Sequence, residues 1–524
     1  MFWKRLFMRQ NFSDDRSDQT PIHCESIKNR TAGISTGNFT GSYTFLAVCL
    51  VLIMTPVMIG CSSGTQSSQS DSTKHIPRPQ KVPDWPRFGW DASRSSAPAG
   101  STGITATNIT ALRRQRVELD GTVDASTIYL KGVQVNGDTH DTFFVTTTYG
   151  KTIAIDANTG DVLWSYTPTG YSDWAGTYRI TNSTPVADPG KKFIYAASPD
   201  GYIQKLAIND GSVAWRTSIT KLPEREKIAS PLNFYNNHVI ATTGGYIGDQ
   251  PPYQGHVAIL DPANGDLLSV WNSLCSDQSG LLNPSNCPDS DSAIWGRAGA
   301  VIDTTTGNIF VATGNAPWDG DTSWGDATLE LNPDATQLIG NYTPSNTQEL
   351  NRTDADLGST SPVLLGQGLI AQGGKDGKIR LLDWNKMKGS SPHKDNEDQV
   401  VSTPSGTDLF TAPAVLRTDT TTWMFAADNG GTAAWKLQDG RLQQMWKNGN
   451  AGTSPVIANG LLYVYDPNGS LYVYKAFTGK QVTELDCGSG HWNSPIIVDG
   501  MIALPEGNAN HHRTSGVLNI WRLP

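Results

Sequence analysis

Short runs in which apolar and polar residues alternate fill most of this chain, and Gly-containing turns cut them at intervals. T-I-A-I-D-A-N-T-G-D-V-L-W at residues 152–164, D-G-Y-I-Q-K-L-A-I-N-D-G-S-V-A-W at 200–215 and H-V-A-I-L-D-P-A-N-G-D-L-L-S-V-W at 256–271 share one plan. An alternating strand leads to a tight turn, and the next strand ends in Trp. Fainter copies follow at 327–340, 376–384, 430–446 and 468–484. Period-two alternation puts successive side chains on opposite faces of a strand, and each D-G or N-G between such runs is a hairpin signal. A Pro-containing opening recurs beside the copies, as S-T-P-V at Pro185, A-S-P-L at Pro231, T-S-P-V-L at Pro362, T-A-P-A-V at Pro413, T-S-P-V-I at Pro455 and N-S-P-I-I at Pro495.

With a first unit beginning near Thr122 and a unit at Trp295 that lacks the Pro, the pattern predicts roughly eight units of about 40 to 70 residues. Each unit is a small antiparallel sheet that cannot bury both faces alone. Packing the sheets face to face around an axis buries them, so the expected fold is all-β, an eight-bladed β-propeller with four-stranded antiparallel blades over residues 85–524. Closure is expected between residues after Trp85 and a C-terminal strand such as V-L-N-I-W-R-L at 517–523, which protects the sheet edges.

Composition fits this picture: 52 Gly, 30 Pro and only 17% charged residues in 524 describe a turn-dense globular chain. A formal net charge of −9 argues against a nucleic-acid partner, whose phosphates need a positive field. Residues 43–60 are an uncharged apolar run ending in M-I-G-C-S-S-G. The run reads as a secretory signal and its end resembles a bacterial lipobox, which makes residues 1–60 a signal peptide and Cys61 the lipidation site. An uncleaved single-span anchor is the alternative, since about 18 apolar residues can cross a bilayer. Residues 61–84 then form a flexible lipoprotein tether, and the remainder of a membrane-anchored, monomeric chain faces the periplasm or exterior of the cell envelope. In such an oxidising compartment Cys275 and Cys287, which bracket a Ser/Asn/Pro-rich loop, are expected to form a disulfide, with Cys487 a lone buried thiol.

The D-x-x-T-G-x-x-x-W pattern at residues 156–164 and W-P-R-F-G-W-D-A-S-R at 85–94 resemble the tryptophan-docking repeat and the usual opening of PQQ-like propellers of the quinoprotein dehydrogenase type. W-G at Trp295, V-A-T-G-N at 311–315 and P-W at 317–318 resemble a blade of the PQQ-dependent alcohol dehydrogenases. The resemblance implies Trp295 as the floor beneath PQQ and Asn315 as a ligand of calcium or a lanthanide. It makes Asp354 in T-D-A-D the catalytic base and a metal ligand, and Asp356 the additional carboxylate of lanthanide-using members. Lys375 in G-G-K-D-G would contact the quinone oxygens. The implied chemistry is oxidation of an alcohol, as in alcohol or polyvinyl alcohol dehydrogenases, by hydride transfer to PQQ with a metal as Lewis acid. An electron acceptor would be its partner.

The same residues allow a bland reading. Asp354, Asp356 and Asn315 suit turns, Lys375 beside Asp376 suits a solvated hairpin, and Trp295 suits core packing. Tyr246 stands near the family's metal-binding Glu, with Asp249 as a displaced substitute, and the family's adjacent cysteine pair is absent. The alternative function is a non-catalytic scaffold resembling the lipoprotein BamB, which assists outer-membrane protein assembly or binds other envelope proteins. His491, Glu506, His511 and His512, and the Asp-rich segment 317–326, are weaker candidates for cation binding.

Overall fold

The computed structural model of the chain describes residues 84–524. The signal-like run, Cys61 and nearly all of the tether lie outside them. The described residues form eight four-stranded antiparallel sheets, the blades of a propeller. Numbered in chain order, blades 1 to 8 begin with the first strands Ile128–Val135, Val186–Ala187, Asn233–Tyr235, Val301–Ile302, Val363–Gly366, Ala414–Arg417, Val456–Ala458 and Ile496–Val498. The expected closure is present. Arg113–Leu119 supplies the fourth strand of blade 8, running antiparallel to Gly516–Arg522 from Arg113 opposite Arg522 to Leu119 opposite Gly516. Among the described residues no helix is long and apolar enough to cross a membrane.

Where the repeat keeps its Trp, that residue locks one blade to the next. Trp164 at the end of blade 1 donates its indole N–H to the Ile208 carbonyl of blade 2 at 2.8 Å, and Trp446 of blade 6 donates to Ala476 of blade 7 at 2.8 Å. Under each ring lies a turn glycine. A Cβ on Gly211 would stand 2.7 Å from the Trp164 ring, and one on Gly479 2.6 Å from Trp446. The D-x-x-x-G-x-x-x-W repeat thus carries both halves of one joint, the glycine receiving the ring of the preceding blade. Where the closing strand offers no Trp, Gln115 fills the role, donating to the Thr159 carbonyl at 2.7 Å above Gly160.

Residues 85–104 run across the ring as a belt along the first strands. Trp85 pairs with Tyr129 of blade 1, and Ala187 of blade 2 donates to Pro86 O at 2.9 Å. Ile302, Val415, Ile457 and Gly500 donate in turn to the carbonyls of Ala92, Ser95, Ser96 and Thr102. Buried Arg94 ties the belt to blade 3 through the Leu232 carbonyl at 2.9 Å. The belt closes one end of the axis, and the segments that precede the first strands gather at the other.

Gly211 and Gly440 share a φ of 71°, but a Cβ on Gly440 meets nothing within 4 Å. Gly440→Ala should cost about 1 kcal/mol for the left-handed backbone alone. Gly211→Ala should cost about 2 kcal/mol more, because the Trp164 joint has no room for a methyl. Thermal unfolding midpoints check this, and equal midpoints for the two variants would show that the joint yields freely.

Candidate functional site

Glycines decide how closely the segments at the open mouth approach. A Cβ on Gly296 would lie 2.6 Å from the Thr360 carbonyl carbon, and one on Gly358 would fall 2.5 Å from the Thr313 oxygen. A Cβ on Gly314 would stand 2.6 Å from Asp356 Oδ1 and 3.4 Å from the Trp295 indole nitrogen. W-G, T-G-N and L-G-S are therefore mutually fitted backbones from the starts of blades 4 and 5. This fit brings Trp295, Asn315, Asp354, Asp356 and Lys375 together.

Lys375 is the centre of the group. Its Nζ lies 2.8 Å from Asp354 Oδ1, pairs with Asp356 Oδ2 and stands 5.4 Å from the centroid of the Trp295 ring. The backbone N–H of Asn315 donates to the other Asp356 oxygen at 2.6 Å, and the Lys375 N–H donates to Asp356 O at 3.0 Å. Asp356 is 4% exposed, whereas the side chain of Asp354, in a left-handed conformation at the end of the short helix Thr347–Thr353, is 62% exposed. Burial works against the Lys375 charge, but the Asp356 and Asp354 carboxylates outweigh it and hold the amine above the usual lysine range.

Three further carboxyls surround this group, and the sequence reading assigned none of them a firm place in it. Asp326 is fully buried, accepts from the Leu357 N–H at 3.0 Å and donates its own N–H to Gly314 O at 2.9 Å. Burial, opposed by the Leu357 hydrogen bond and reinforced by Asp356, pushes it up to about 8. Asp249 accepts from the Tyr253 hydroxyl at 2.9 Å. Its loop is open to solvent, yet the protein massed around its carboxyl raises it, with Asp356 and Asp354 pushing the same way. Asp291 is raised likewise. Tyr246 turns away: its hydroxyl donates to the Pro223 carbonyl at 2.9 Å, within an apolar cluster of Tyr149, Trp174 and Ile180.

Elsewhere in the mouth the charge changes sign. Buried Arg297, from the start of blade 4, donates to the carbonyls of Asn182 before blade 2 and Trp492 before blade 8, at 3.3 and 3.2 Å. A side chain that reaches three separated blades lies at the axis. Its Nε has no partner, and burial lowers it to about 10 despite Asp124. Lys227, before blade 3, is half-buried, and the protein massed around its amine lowers it to about 8 against Asp124 and with help from Arg297. Among the described residues its Nζ makes neither a hydrogen bond nor an ion pair. Asp124 does not neutralise these cations by contact, because its oxygens are taken by His491, Asn182 and the N–H groups of Trp492 and Ala509. Trp295, Phe410 and Trp492, all half-buried, form an aromatic series with centroids 6.0 and 5.6 Å apart.

The weaker metal candidates do not assemble. His491 bonds Asp124 at 2.8 Å, Glu506 pairs with Arg114 at 2.9 Å, and in 317–326 the Asp319 carboxylate caps its own turn through the N–H groups of Asp321, Thr322 and Ser323. Cys275 and Cys287 are joined by a disulfide with their Cα atoms 5.9 Å apart. Cys487 is unpaired and half-buried, its thiol pushed up to about 12 by burial.

The family described as outer membrane protein assembly factor BamB, PQQ_2, matches residues 110–281 and 424–514, together half of the chain. The chain belongs to this PQQ-like repeat family. Within it, the chain is 23% identical over 333 residues to the quinohemoprotein alcohol dehydrogenase of Comamonas testosteroni, a match covering 57% of the chain and 43% of that enzyme. It is 25% identical over 217 residues to the quinoprotein alcohol dehydrogenase PedH of Pseudomonas putida, covering 36% of the chain and 35% of PedH. The matches thus span less than half the length of either curated relative. The solved Comamonas enzyme superposes with a TM-score of 0.64 at 16% identity, over 85% of this chain and 81% of that one. A europium-containing methanol dehydrogenase superposes with a TM-score of 0.62 at 14% identity, over 84% and 98%. The shared fold is that of the quinoprotein dehydrogenases.

This PQQ-like propeller suits the two bound groups of such relatives unequally. A half-buried indole, with an unpartnered amine and an orphaned guanidinium nitrogen nearby, fits a flat carboxylated quinone. The donor set for a metal fits poorly. A hard cation takes six to eight oxygens at about 2.3–2.6 Å. Here the Lys375 ammonium holds both Asp354 and Asp356, Asn315 reaches Asp356 through its backbone, and the Tyr246 hydroxyl is turned to the Pro223 carbonyl. Among the described residues no group of three or more His, Cys, Asp or Glu is arranged to hold a metal ion.

Asp326 yields a prediction for stability. Its carboxyl binds a proton in the folded chain up to about 8 but only to the ordinary aspartate value of 3.8 when unfolded. Between these values the folded state holds the extra proton, so stability contributed by this group is present at low pH and is lost as pH rises through about 8. Asp326→Asn should remove this decline and unfold at a higher temperature than the native chain at pH 8. Parallel melting curves from pH 5 to 8 for both proteins would contradict the assignment.

Proposed function

We propose that the chain is a quinone-dependent oxidoreductase of the alcohol dehydrogenase type, tethered at the bacterial cell envelope by a lipid on Cys61. The observation that carries this is the Lys375 contact set, which gathers Trp295, Asp354 and Asp356 from two blades at the open mouth. Packing alone does not require a charged triad there.

A quinone of the PQQ class, when bound, supplies the two-electron acceptor for an alcohol. Trp295 offers the flat floor, and Lys227 and Arg297 offer positive charge for carboxylates. The unpaired state of the Lys227 amine favours an anionic ligand, which would supply the counter-charge it lacks. Asp354, held by Lys375 yet open to solvent, receives the hydroxyl proton of the substrate as general base. Lys375 orients Asp354 through their ion pair and adds the positive charge that stabilises developing negative charge on oxygen. The electrons leave to a separate envelope acceptor.

The family description favours a second reading, a BamB-like scaffold that binds envelope proteins and no cofactor. Calorimetric titration of PQQ into the detergent-solubilised full chain separates the two. Saturable binding is expected, weakened at least about tenfold by Trp295→Ala and by Lys227→Ala, in line with one lost stacking or charge-assisted contact each. No heat of binding with calcium or a light lanthanide present or absent would leave the scaffold reading.

A further inference from the structure

We infer that Lys375 is the built-in cation of the mouth: its ammonium, between Asp354 and Asp356, holds the place of a metal ion and leaves the metal-binding capacity of these carboxylates latent. The inference rests on the contacts of Lys375 and stands apart from the quinone reading.

Three observations carry it. First, the amine satisfies both carboxylates at once, at 2.8 Å from Asp354 Oδ1 and in contact with Asp356 Oδ2, while the Asn315 N–H occupies Asp356 Oδ1. The buried Asp356 therefore has neither oxygen left without a partner. Second, no further carboxylate is free to complete a metal shell: Asp249 is engaged by Tyr253, and Asp326, which accepts from the Leu357 N–H beside Asp356, is fully buried and keeps its proton up to about 8. Third, the Lys375 side chain is only 16% exposed, its partner Asp356 is buried and Trp295 stands at 5.4 Å, so solvent screens the Lys375–Asp356 pair little and the amine has nowhere comparable to go.

The geometry has a chemical consequence. A metal entering here must displace a covalently tethered ammonium and leave it unpaired in a partly buried mouth, a cost that an untethered ion does not repay unless it gains several oxygen ligands. Removing the amine reverses the balance. Asp354, Asp356 and the surrounding Asp249 and Asp291 then present uncompensated negative charge to any hard cation.

Terbium luminescence excited through tryptophan reads this without cofactor or turnover, because Trp295 lies beside the site. The native full chain should show no sensitised emission that depends on Asp356, up to about 100 µM terbium. Lys375→Gln should gain such emission with at least about tenfold tighter half-saturation than the native chain, and adding Asp356→Asn should abolish the gain. Terbium bound by the native chain and released by Asp356→Asn would overturn the inference, as would a folded Lys375→Gln that gains nothing. If Lys375→Gln does not fold, the native chain still decides. Its melting temperature should be the same in EDTA and in calcium, and a calcium-dependent rise that Asp356→Asn removes would overturn the inference.

Discussion

Everything in this chain depends on ring closure. Each blade has two apolar faces and no means of covering them alone, so the interior is a set of inter-blade contacts rather than one core. The core cluster that includes Trp85, Val117, Tyr463 and Ile520 spans the junction where the N-terminal strand completes the last blade. The same constraint explains the Trp and Gly pairs: a ring of sheets needs joints of fixed depth, and a turn glycine under an indole sets that depth where the repeat keeps its Trp, as at Trp164, Trp215 and Trp446. The belt from Trp85 onward then ties the first strands together at one end of the axis, leaving the other end free for chemistry.

At that free end, charge is sorted by side. On one side five carboxyls surround a single amine; on another, Arg297 and Lys227 stand without a carboxylate in contact. Lys375 makes the acidic side tolerable, and Asp326 does so by keeping its proton. Arg297 and Lys227 have no such device, and a flat anionic ligand would supply one.

Much of the fold was legible because its signals are local and repeated. Gly211, Trp164 and Pro185 each announce their positions through a motif that recurs, and even the closing strand near Val517 could be read from its alternation. The site was legible only where a motif carried it, as at Trp295, T-G-N and T-D-A-D. Lys227 and Arg297 belong to no motif; they matter because blades 2, 3, 4 and 8 converge, a property of the ring and not of their neighbours in sequence. Asp326 was hidden in an Asp-rich segment that reads as a polar insertion, although its own carboxyl is fully buried against Gly314 and Leu357. At Asn315 the sequence motif pointed to the side chain, and the structure adds a backbone contact: the Asn315 N–H, beside Gly314, meets Asp356.

The central claim is that one ammonium holds the mouth together in place of a metal. Anomalous diffraction from crystals of the protein grown with a lanthanide tests it most directly. The account predicts continuous density from Lys375 Nζ to both Asp354 and Asp356 with no anomalous peak between them. An anomalous peak between Asp356 and Asn315, with the lysine side chain turned away, would contradict it.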